Sequence, residues 1–526
     1  MQDKKGYMHG AILLLISGCI VKILGALFKI PLTNLIGDRG MGMFSFAMQF
    51  FSILFVICAA GIPVAESYLV SESLARGRSN QARRMVCRIT MVFTLFSMVL
   101  ASGLAIGSDR LSILFGEPEA GACLTAIAPA VVLVTMEAGL RGWYQGTGNM
   151  EPTSVSQVLE AVGKLLFGLL FARRALEFGW GISGAAAGAV LGVTIGELIA
   201  VLYLVWSVRH SIIATLFHRE PWVPKTFSRF FSYLFPVTLG AAVMTVSGFL
   251  DMALLYRRLP LTGLSTAEVT AQYGAYTGMA LTLYHLPQAF SGAVSVSILP
   301  AIASAWTKNQ QAICRRLAAS AVRLTLLVCI PCGAVLSVFA EPLLRLLFSS
   351  QPSGIAAACP LLVCLGFCEA VVGLSSVTTA VLQSIGRPDI TVSTTAAGCA
   401  VKFAVSYYWT AQPEIGILAA PMSTLICFGV ILLLNLLAIY TKMKWVPAVI
   451  RPALRISLAA CMMCASGMHV FRIVMQNNSL LISLVLSAVW MVFLYLLALL
   501  LLHALHREDV LMLPGGERLA LLLRLP

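Results

Sequence analysis

Long runs of apolar residues dominate the sequence and limit the folds that it can adopt. A helix needs about twenty apolar residues to cross a membrane, and such runs recur along the whole 526-residue chain, which is 59% hydrophobic and 11% charged. A soluble fold could not hide so much apolar surface. The sequence therefore predicts an all-α polytopic membrane protein with fourteen transmembrane helices. The predicted spans lie near residues 8–30, 41–69, 85–106, 122–145, 153–175, 182–207, 230–256, 273–303, 317–339, 355–383, 390–411, 415–440, 453–472 and 480–503.

Lysine and arginine residues are distributed unevenly among the predicted loops. If the N-terminus is inside, the cytoplasmic segments hold twenty-one of them and the outer loops hold eight. Basic residues favour the cytoplasmic side of a membrane, so both termini are predicted to be cytoplasmic. The same bias accounts for the net charge of +14 without a nucleic-acid-binding surface, and we expect no nucleic-acid partner.

One charged stretch, residues 140–172, has a second copy later in the chain. A breaker cluster near Gly148 predicts a helical hairpin, with one helix ending near Gln145 and the next starting near Thr153. The second copy follows 238 residues later. Gln145, Gly148, Thr153, Ser156 and Lys164 fall on Gln383, Gly386, Thr391, Thr394 and Lys402. With an offset of 233, Arg83 falls on Arg316. The chain is therefore predicted to contain two pseudo-repeated helical bundles.

This duplication divides the chain into predicted regions. They are an N-terminal six-helix bundle at 1–207, a cytoplasmic linker at 208–229, a C-terminal six-helix bundle at 230–440, two additional transmembrane helices at 441–503 and a cytoplasmic tail at 504–526. No loop exceeds about two dozen residues, which leaves no room for a soluble catalytic domain. We expect no catalytic residues, and any chemistry would take place in the membrane.

Charged and polar residues inside the predicted spans are the candidate site residues, because charges at membrane depth usually line a water-filled interior or pair with one another. Lys22 and Lys29 are seven residues apart on one glycine-lined face of the first span, which suggests an anion path. The hairpin adds polar stripes at helical spacing. The predicted substrate-binding residues are Lys22, Lys29, Arg141, Gln145, Gln157 and Lys164.

A second set of charges is predicted to serve in ion coupling or structure. Glu137 with Arg141 and Glu160 with Lys164 have the i, i+4 spacing of self-neutralising pairs. Asp251 stands alone in an apolar segment, where a carboxylate could take a proton or Na⁺. The set is Glu66, Glu137, Glu160, Asp251 and Lys402, and Glu197, Glu369 and Arg323 are further intramembrane charges without an assigned role.

Fourteen cysteines raise the question of a metal site or a disulfide framework. Two C-x-x-C spacings occur, Cys329/Cys332 and Cys461/Cys464, and both lie in apolar spans. Cysteine there behaves as a small hydrophobic residue, and no histidine or carboxylate cluster completes a zinc set. We therefore expect no metal and no cofactor.

Four segments resemble a known family. They are GIPVAESYLVSESLARGR at 61–78, LRGWYQGTGNMEPTSVSQVLE at 140–160, GAAAGAVLGVTIGELIAVLYL at 184–204 and QYGAYTGMALTLYHLP at 272–287. Together they resemble the polysaccharide-transporter branch of the multidrug/oligosaccharidyl-lipid/polysaccharide exporter superfamily, which includes sporulation proteins and lipid II flippases. Lys22 matches the basic residue of the K/R-x-L-G pattern in the family's first span, and Lys29 lies in or beside a second basic position.

The resemblance implies a V-shaped pair of six-helix bundles around a cavity open alternately to each side. The implied cargo is a polyprenyl-pyrophosphate-linked saccharide, whose lipid tail would lie in a groove at the two extra helices. The family's flippases carry an arginine in the second span, whereas residues 48–56 contain none, and Glu66 stands where a small or apolar residue is usual.

The expected function is therefore a flippase of the bacterial plasma membrane in cell-wall or spore-cortex polysaccharide synthesis, with membrane lipid as a partner and H⁺ or Na⁺ as a possible coupling ion. Two alternatives stay open at this point. One is a cation-coupled multidrug antiporter of the same superfamily, in which Glu137 and Asp251 would matter more than Lys22 and Lys29. The other is a membrane-embedded saccharide ligase, for which a large outer loop would be expected.

Overall fold

The computed structural model describes residues 2–216, 225–502 and 504, and these residues form an all-helical structure without strands. This confirms the predicted all-α class. The α-helices are α1 (Gln2–Cys58), α2 (Ile62–Ala75), α3 (Ser79–Ile106), α4 (Ser108–Leu114), α5 (Gly121–Gly146), α6 (Glu151–Glu177), α7 (Gly181–Leu216), α8 (Lys225–Arg258), α9 (Thr266–Gly274), α10 (Leu281–Thr307), α11 (Gln311–Val338), α12 (Ala340–Leu347), α13 (Pro352–Ser384), α14 (Pro388–Trp409), α15 (Ala419–Met443), α16 (Ile450–Met475) and α17 (Leu480–Leu501).

Twelve segments of the described chain are long and apolar enough to cross a membrane. One of them, Ile16–Ala75, has 60 residues, enough for two crossings at about twenty residues each. It bends at Gly37, whose φ of 74° lies in the left-handed region that favours glycine. The predicted span 41–69 is divided between α1 and α2, and the predicted span 390–411 corresponds to α14. The count of fourteen and the orientation of the termini stay predictions.

The chain forms two compact units, Met1–Gly278 and Met279–Pro526, which are called unit 1 and unit 2 below. Unit 1 contains α1 to α9, and unit 2 contains α10 to α17. The ends of the stretch predicted as a linker are helical, because α7 continues to Leu216 and α8 begins at Lys225. Residues 217–224 and the predicted tail from 505 onward lie outside the described residues. The predicted domain boundaries stay a prediction.

In unit 1, glycines bring α6 and α7 into direct backbone contact. Gly188, Gly192 and Gly196 recur every four residues and therefore share one face of α7. A Cβ at Gly192 would lie 2.1 Å from the backbone nitrogen of Gly168, and one at Gly196 would lie 2.6 Å from the carbonyl oxygen of Glu160. Small residues at such spacing let membrane helices approach closely, and this contact determines where the neighbouring charged residues lie.

Gly192→Ala is expected to destabilise unit 1 by about 1–3 kcal/mol, because the added methyl group would overlap backbone atoms that cannot move aside. The measurement is thermal unfolding of the purified protein in detergent. Gly103→Ala is the matched control, since a Cβ at Gly103 meets no atom within 4 Å. Equal unfolding temperatures for the two variants would contradict the backbone contact.

In unit 2, α16 and α17 form a hairpin that packs on α11. A Cβ at Gly467 would lie 2.4 Å from the Met491 side chain, which shows how closely the two helices approach. The Trp490 indole donates a hydrogen bond to Ser466 (2.6 Å), and the Tyr495 hydroxyl donates one to the Leu327 carbonyl (2.7 Å). The two additional helices are therefore integrated into unit 2.

Candidate functional site

The predicted hairpin is present, and it joins the charges of its two helices. The breaker cluster between Gly146 and Glu151 ends α5 and starts α6, as the sequence predicted. Arg141 of α5 forms the predicted ion pair with Glu137 (2.8 Å) and also crosses the hairpin to Glu160 (2.9 Å). Its Nε donates a hydrogen bond to Ser156 Oγ (3.0 Å). Because Glu137 is fully buried and Arg141 is only 14% exposed, this network lies inside the bundle.

A third carboxylate joins the network from α7. Glu197 is 3% exposed and follows Gly196 in the helix that contacts α6. One carboxylate oxygen from each of Glu137, Glu160 and Glu197 lies within 4.8 Å of the other two. Carboxylates this close repel one another unless they share a proton or a cation. Oxygen ligands of this kind suit hard cations, so the cluster could hold a coupling ion.

Two lysines extend the network toward α1. Lys164 interacts electrostatically with Glu160 and Glu197, and its Nζ lies 5.2 Å from the centroid of the Phe28 ring. Lys164 and Lys29 are close enough for their charges to repel each other. Lys29 Nζ also donates a hydrogen bond to the Thr277 carbonyl oxygen (3.4 Å). Three basic side chains on three helices therefore converge in the interior of unit 1.

The glycine-lined face of α1 is open. A Cβ at Gly18 or Gly25 would meet no atom within 4 Å. Lys22 lies between them and is exposed, whereas Lys29, one heptad later, is half-buried. Near the start of this face, Ser17 Oγ donates a hydrogen bond to Gln157 Oε1 of α6 (3.3 Å). The open face therefore begins beside Gln157, one of the predicted substrate-binding residues, and continues toward the charged network.

The other predicted residues lie elsewhere. Gln145 is half-buried near the end of α5. Glu66 of α2 is fully buried against α5, where a Cβ at Gly142 would lie 2.7 Å from its Oε2. Asp251 is half-buried on α8, and Lys402 is half-buried on α14 of unit 2. Of the predicted coupling residues, only Glu137 and Glu160 belong to the network around Arg141.

The duplication supplies a neutral counterpart of this network in unit 2. With the offset of 238, Arg141, Ser156 and Glu197 correspond to Thr379, Thr394 and Asn435. Thr394 donates a hydrogen bond to the Asn435 side-chain oxygen (2.8 Å), and the Asn435 amide donates one to Thr379 (3.0 Å). Glu137 and Glu160 correspond to Ser375 and Gly398. Apart from Lys164, whose counterpart is Lys402, these charged positions of unit 1 therefore carry neutral residues in unit 2.

Glu197 is the one member of this network to which the sequence alone assigned no role. Two signals could have identified it. Glycines every four residues on α7 predict the face that contacts another helix, and Glu197 directly follows the last of them, Gly196. The offset of 238 also places it opposite Asn435, a polar residue within an apolar span.

The sequence profile of the polysaccharide biosynthesis proteins matches residues 7–306. The chain belongs to this family. It is 27% identical over 465 residues to stage V sporulation protein B of Bacillus subtilis (strain 168), covering 85% of this chain and 86% of that protein. It is 23% identical over 425 residues to the lipid II flippase MurJ of the same organism, covering 76% of each.

Solved structures share the fold of this family member. Lipid II flippase MurJ in its inward closed conformation matches with a TM-score of 0.69 and 17% identity, covering 93% of this chain and 98% of that one. An inward-facing multidrug resistance MATE transporter matches with a TM-score of 0.63 and 14% identity, covering 81% and 98%. The protein is a multi-pass membrane protein of the bacterial plasma membrane, of the flippase or transporter type.

Proposed function

We propose that this protein is a flippase that moves a polyprenyl-pyrophosphate-linked saccharide from the inner to the outer leaflet by alternating access, in cell-wall or spore-cortex polysaccharide synthesis. The observation that carries the proposal is the convergence of Lys29, Arg141 and Lys164 inside unit 1. A pyrophosphate needs cations at membrane depth, where lysine acts as a point charge and arginine as a bidentate donor. Lys22 on the open face of α1 would give the headgroup its first contact.

A groove in unit 2 supports the same cargo. It has a volume of about 920 Å³ and lies between α11, α13 and α16. Its walls are mainly apolar, with Phe367 and Met468 among them, and His469 and Arg472 lie at one end. Gly333 and Gly366 bring α11 and α13 into close contact along one wall, since a Cβ at Gly333 would overlap the Gly366 carbonyl oxygen. We propose that the polyprenyl tail lies in this groove, so that it stays in an apolar environment during transport.

The first test concerns the lysines of α1. Lys29→Ala and Lys22→Ala should each reduce flipping of a fluorescent polyprenyl-pyrophosphate saccharide in proteoliposomes, because each removes a cation that would neutralise the pyrophosphate. Lys29→Arg should keep more activity than Lys29→Gln. Lys308→Ala, at an exposed position after α10, is the control and should match wild type. Full activity of Lys22→Ala at equal protein levels would remove Lys22 from the mechanism.

The coupling ion is proposed to bind at the glutamate cluster. Glu137, Glu160 and Glu197 carry three negative charges if ionised, against the two positive charges of Arg141 and Lys164 that interact with them. Lys29 instead contacts the Thr277 carbonyl and interacts with Lys164. One H⁺ or Na⁺ would balance the set. Uptake of an ion here would change the charge that the neighbouring lysines present to an anionic cargo, which would link ion binding to cargo release.

Glu197→Gln should weaken the dependence of transport on pH or on Na⁺, because it removes one ionisable carboxylate while keeping the side-chain size. The measurement is the flipping rate as a function of Na⁺ at fixed pH, and of pH at fixed Na⁺. Glu177→Gln is the control, since Glu177 is exposed in the ion pairs with Arg173 and Arg174. Unchanged dependence on both ions in Glu197→Gln would contradict this role.

A cation-coupled multidrug antiporter is the second candidate, and the buried glutamate cluster is the observation that favours it. In that case the carboxylates would take the drug cation or its counter-ion, and the lysines of α1 would be dispensable. Measuring cationic-dye efflux in two variants distinguishes the two functions. An antiporter would retain cationic-dye efflux in Lys22→Ala and lose it in Glu137→Gln, whereas a flippase would show no dye efflux in either protein.

A further inference from the structure

Unit 1 also contains a groove, separate from the unit 2 groove proposed for the polyprenyl tail. The proposed transport cycle does not use it. It lies between α3, α5 and α7 and has a volume of about 380 Å³. Its lining is almost wholly apolar and includes Val86, Met91, Met98, Met136 and Trp143. Methionine side chains are flexible and polarisable, so they adapt to an irregular apolar occupant. The groove therefore has the surface properties of a site for a hydrocarbon chain.

Arg83 is the only charged residue that lines this groove in the described part of the chain. Its Nε is buried and has no hydrogen-bond partner among the described residues. A buried donor without a partner is costly, so this atom points to an acceptor that the protein does not supply. Near the same end of the groove, Arg209 follows the lining residue Val208 and stacks on Trp206 at 4.6 Å.

On the predicted topology, Arg83 and Arg209 both lie at the inner leaflet of the membrane. The α3 and α7 ends that carry them belong to segments predicted to face the cytoplasm. Arg83 and Met98 are fifteen residues apart on α3, about 22 Å along the helix axis. That length covers the inner half of a hydrocarbon core of about 30 Å. A headgroup at Arg83 would therefore place its attached chain along the groove within the bilayer.

We propose that this groove binds an anionic phospholipid of the inner leaflet, with its phosphate at Arg83 and an acyl chain between α3, α5 and α7. Basic pockets between helices at the cytoplasmic surface favour anionic lipid headgroups. The proposal goes beyond the transport function, because it assigns a lipid other than the cargo. Binding there would hold α3 against α5 and α7 and make the stability of unit 1 depend on lipid composition.

The cargo itself fits this groove less well. Met136, Leu140 and Trp143 line it from α5, whereas Glu137 and Arg141 of the same helix contact α6 and α7. Helix α5 thus separates the groove from the charged network. The groove volume of about 380 Å³ is also well below the 920 Å³ of the groove in unit 2. A single acyl chain suits the smaller space, and a long polyprenyl chain suits the larger.

The test is native mass spectrometry of the purified full-length protein with phosphatidylglycerol or phosphatidylcholine of identical acyl chains. The wild type should retain phosphatidylglycerol about fivefold better, given the contribution of one basic residue near the membrane surface. Arg83→Gln should lose that preference, and Arg83→Lys should keep most of it. Met136→Trp should reduce retention of both lipids, because the larger ring fills the groove.

Arg316→Gln is the matched control, because Arg316 is the counterpart of Arg83 in the second copy and lines neither groove. It should behave as wild type. Unchanged preference in Arg83→Gln, or an equal loss in Arg316→Gln, would overturn the proposal. Displacement of phosphatidylglycerol by equimolar polyprenyl phosphate would assign the groove to the cargo and overturn it too. If Arg83→Gln does not fold, the lipid retention of Arg83→Lys and Met136→Trp still tests the proposal. This experiment measures lipid retention and not transport. Its result therefore does not depend on whether the proposed flippase function is correct.

Discussion

Arg141→Ala is expected to lower the stability of the protein by about 3–5 kcal/mol, because it leaves buried carboxylates without their cation. Arg141 pairs with Glu137 and Glu160, and Glu197 lies within reach of both. Three carboxylates would then face Lys164 alone. Thermal unfolding in detergent measures the loss, and transport should disappear with it.

The second copy of the hairpin supplies a control for this prediction. A variant carrying the residues of unit 2 at four equivalent positions removes the three carboxylates and the arginine of the network and keeps Lys29 and Lys164. Its substitutions are Glu137→Ser, Arg141→Thr, Glu160→Gly and Glu197→Asn. Because Thr379, Thr394 and Asn435 form a hydrogen-bonded set in unit 2, this variant should recover much of the stability lost in Arg141→Ala while remaining inactive. A variant that is less stable than Arg141→Ala would show that the network does not act through charge balance.

Lys164→Ala should reduce transport by more than about tenfold, whereas Lys402→Ala should be mild. Loss of the Lys164 charge leaves Glu160 and Glu197 less neutralised at a cost of several kcal/mol, and each 1.4 kcal/mol corresponds to a factor of ten. Lys402 occupies the equivalent position in unit 2, where Glu160 is replaced by Gly398 and Glu197 by Asn435. The measurement is the flipping rate at equal protein levels.

Glu160→Gln combined with Lys164→Gln separates two causes of this loss. The double variant keeps the side-chain sizes and removes one charge of each sign. Recovery of transport relative to Lys164→Ala would show that Lys164 serves mainly to neutralise Glu160. Persistent loss with normal expression would favour contact with the cargo. If Lys402→Ala proves as damaging as Lys164→Ala, the charged site is not confined to unit 1.

Local signals predicted local structure well. The breakers near Gly148 and Gly386 mark the hairpin turns, and the predicted helix ends lie within a few residues of those observed. The i, i+4 spacing predicted the pair between Glu137 and Arg141, because residues one helical turn apart share a face. Such signals depend only on neighbours in the sequence.

Contacts between segments that are distant in the sequence could not be predicted from such local signals. Lys29 and Thr277 are 248 residues apart, and nothing near either residue indicates the other. Periodicity placed Lys22 and Lys29 on one face of α1, yet it could not show that Lys22 is exposed while Lys29 is half-buried, since this depends on which helices pack nearby. The break between α1 and α2 at residues 59–61 was likewise hidden inside one continuous apolar run.

The glycine contact between α6 and α7 has a mechanical consequence for the charged network. Backbone atoms meet there without side chains that could change rotamer, so the two helices should move as one rigid body. The separation of the Glu160 backbone from the Glu197 backbone would then stay constant throughout the proposed transport cycle. Arg141 on α5 and Lys29 on α1 stand on helices outside this body. Any motion that opens or closes the network must therefore displace α1 or α5, which makes these two helices the moving parts and the α6–α7 pair the fixed frame.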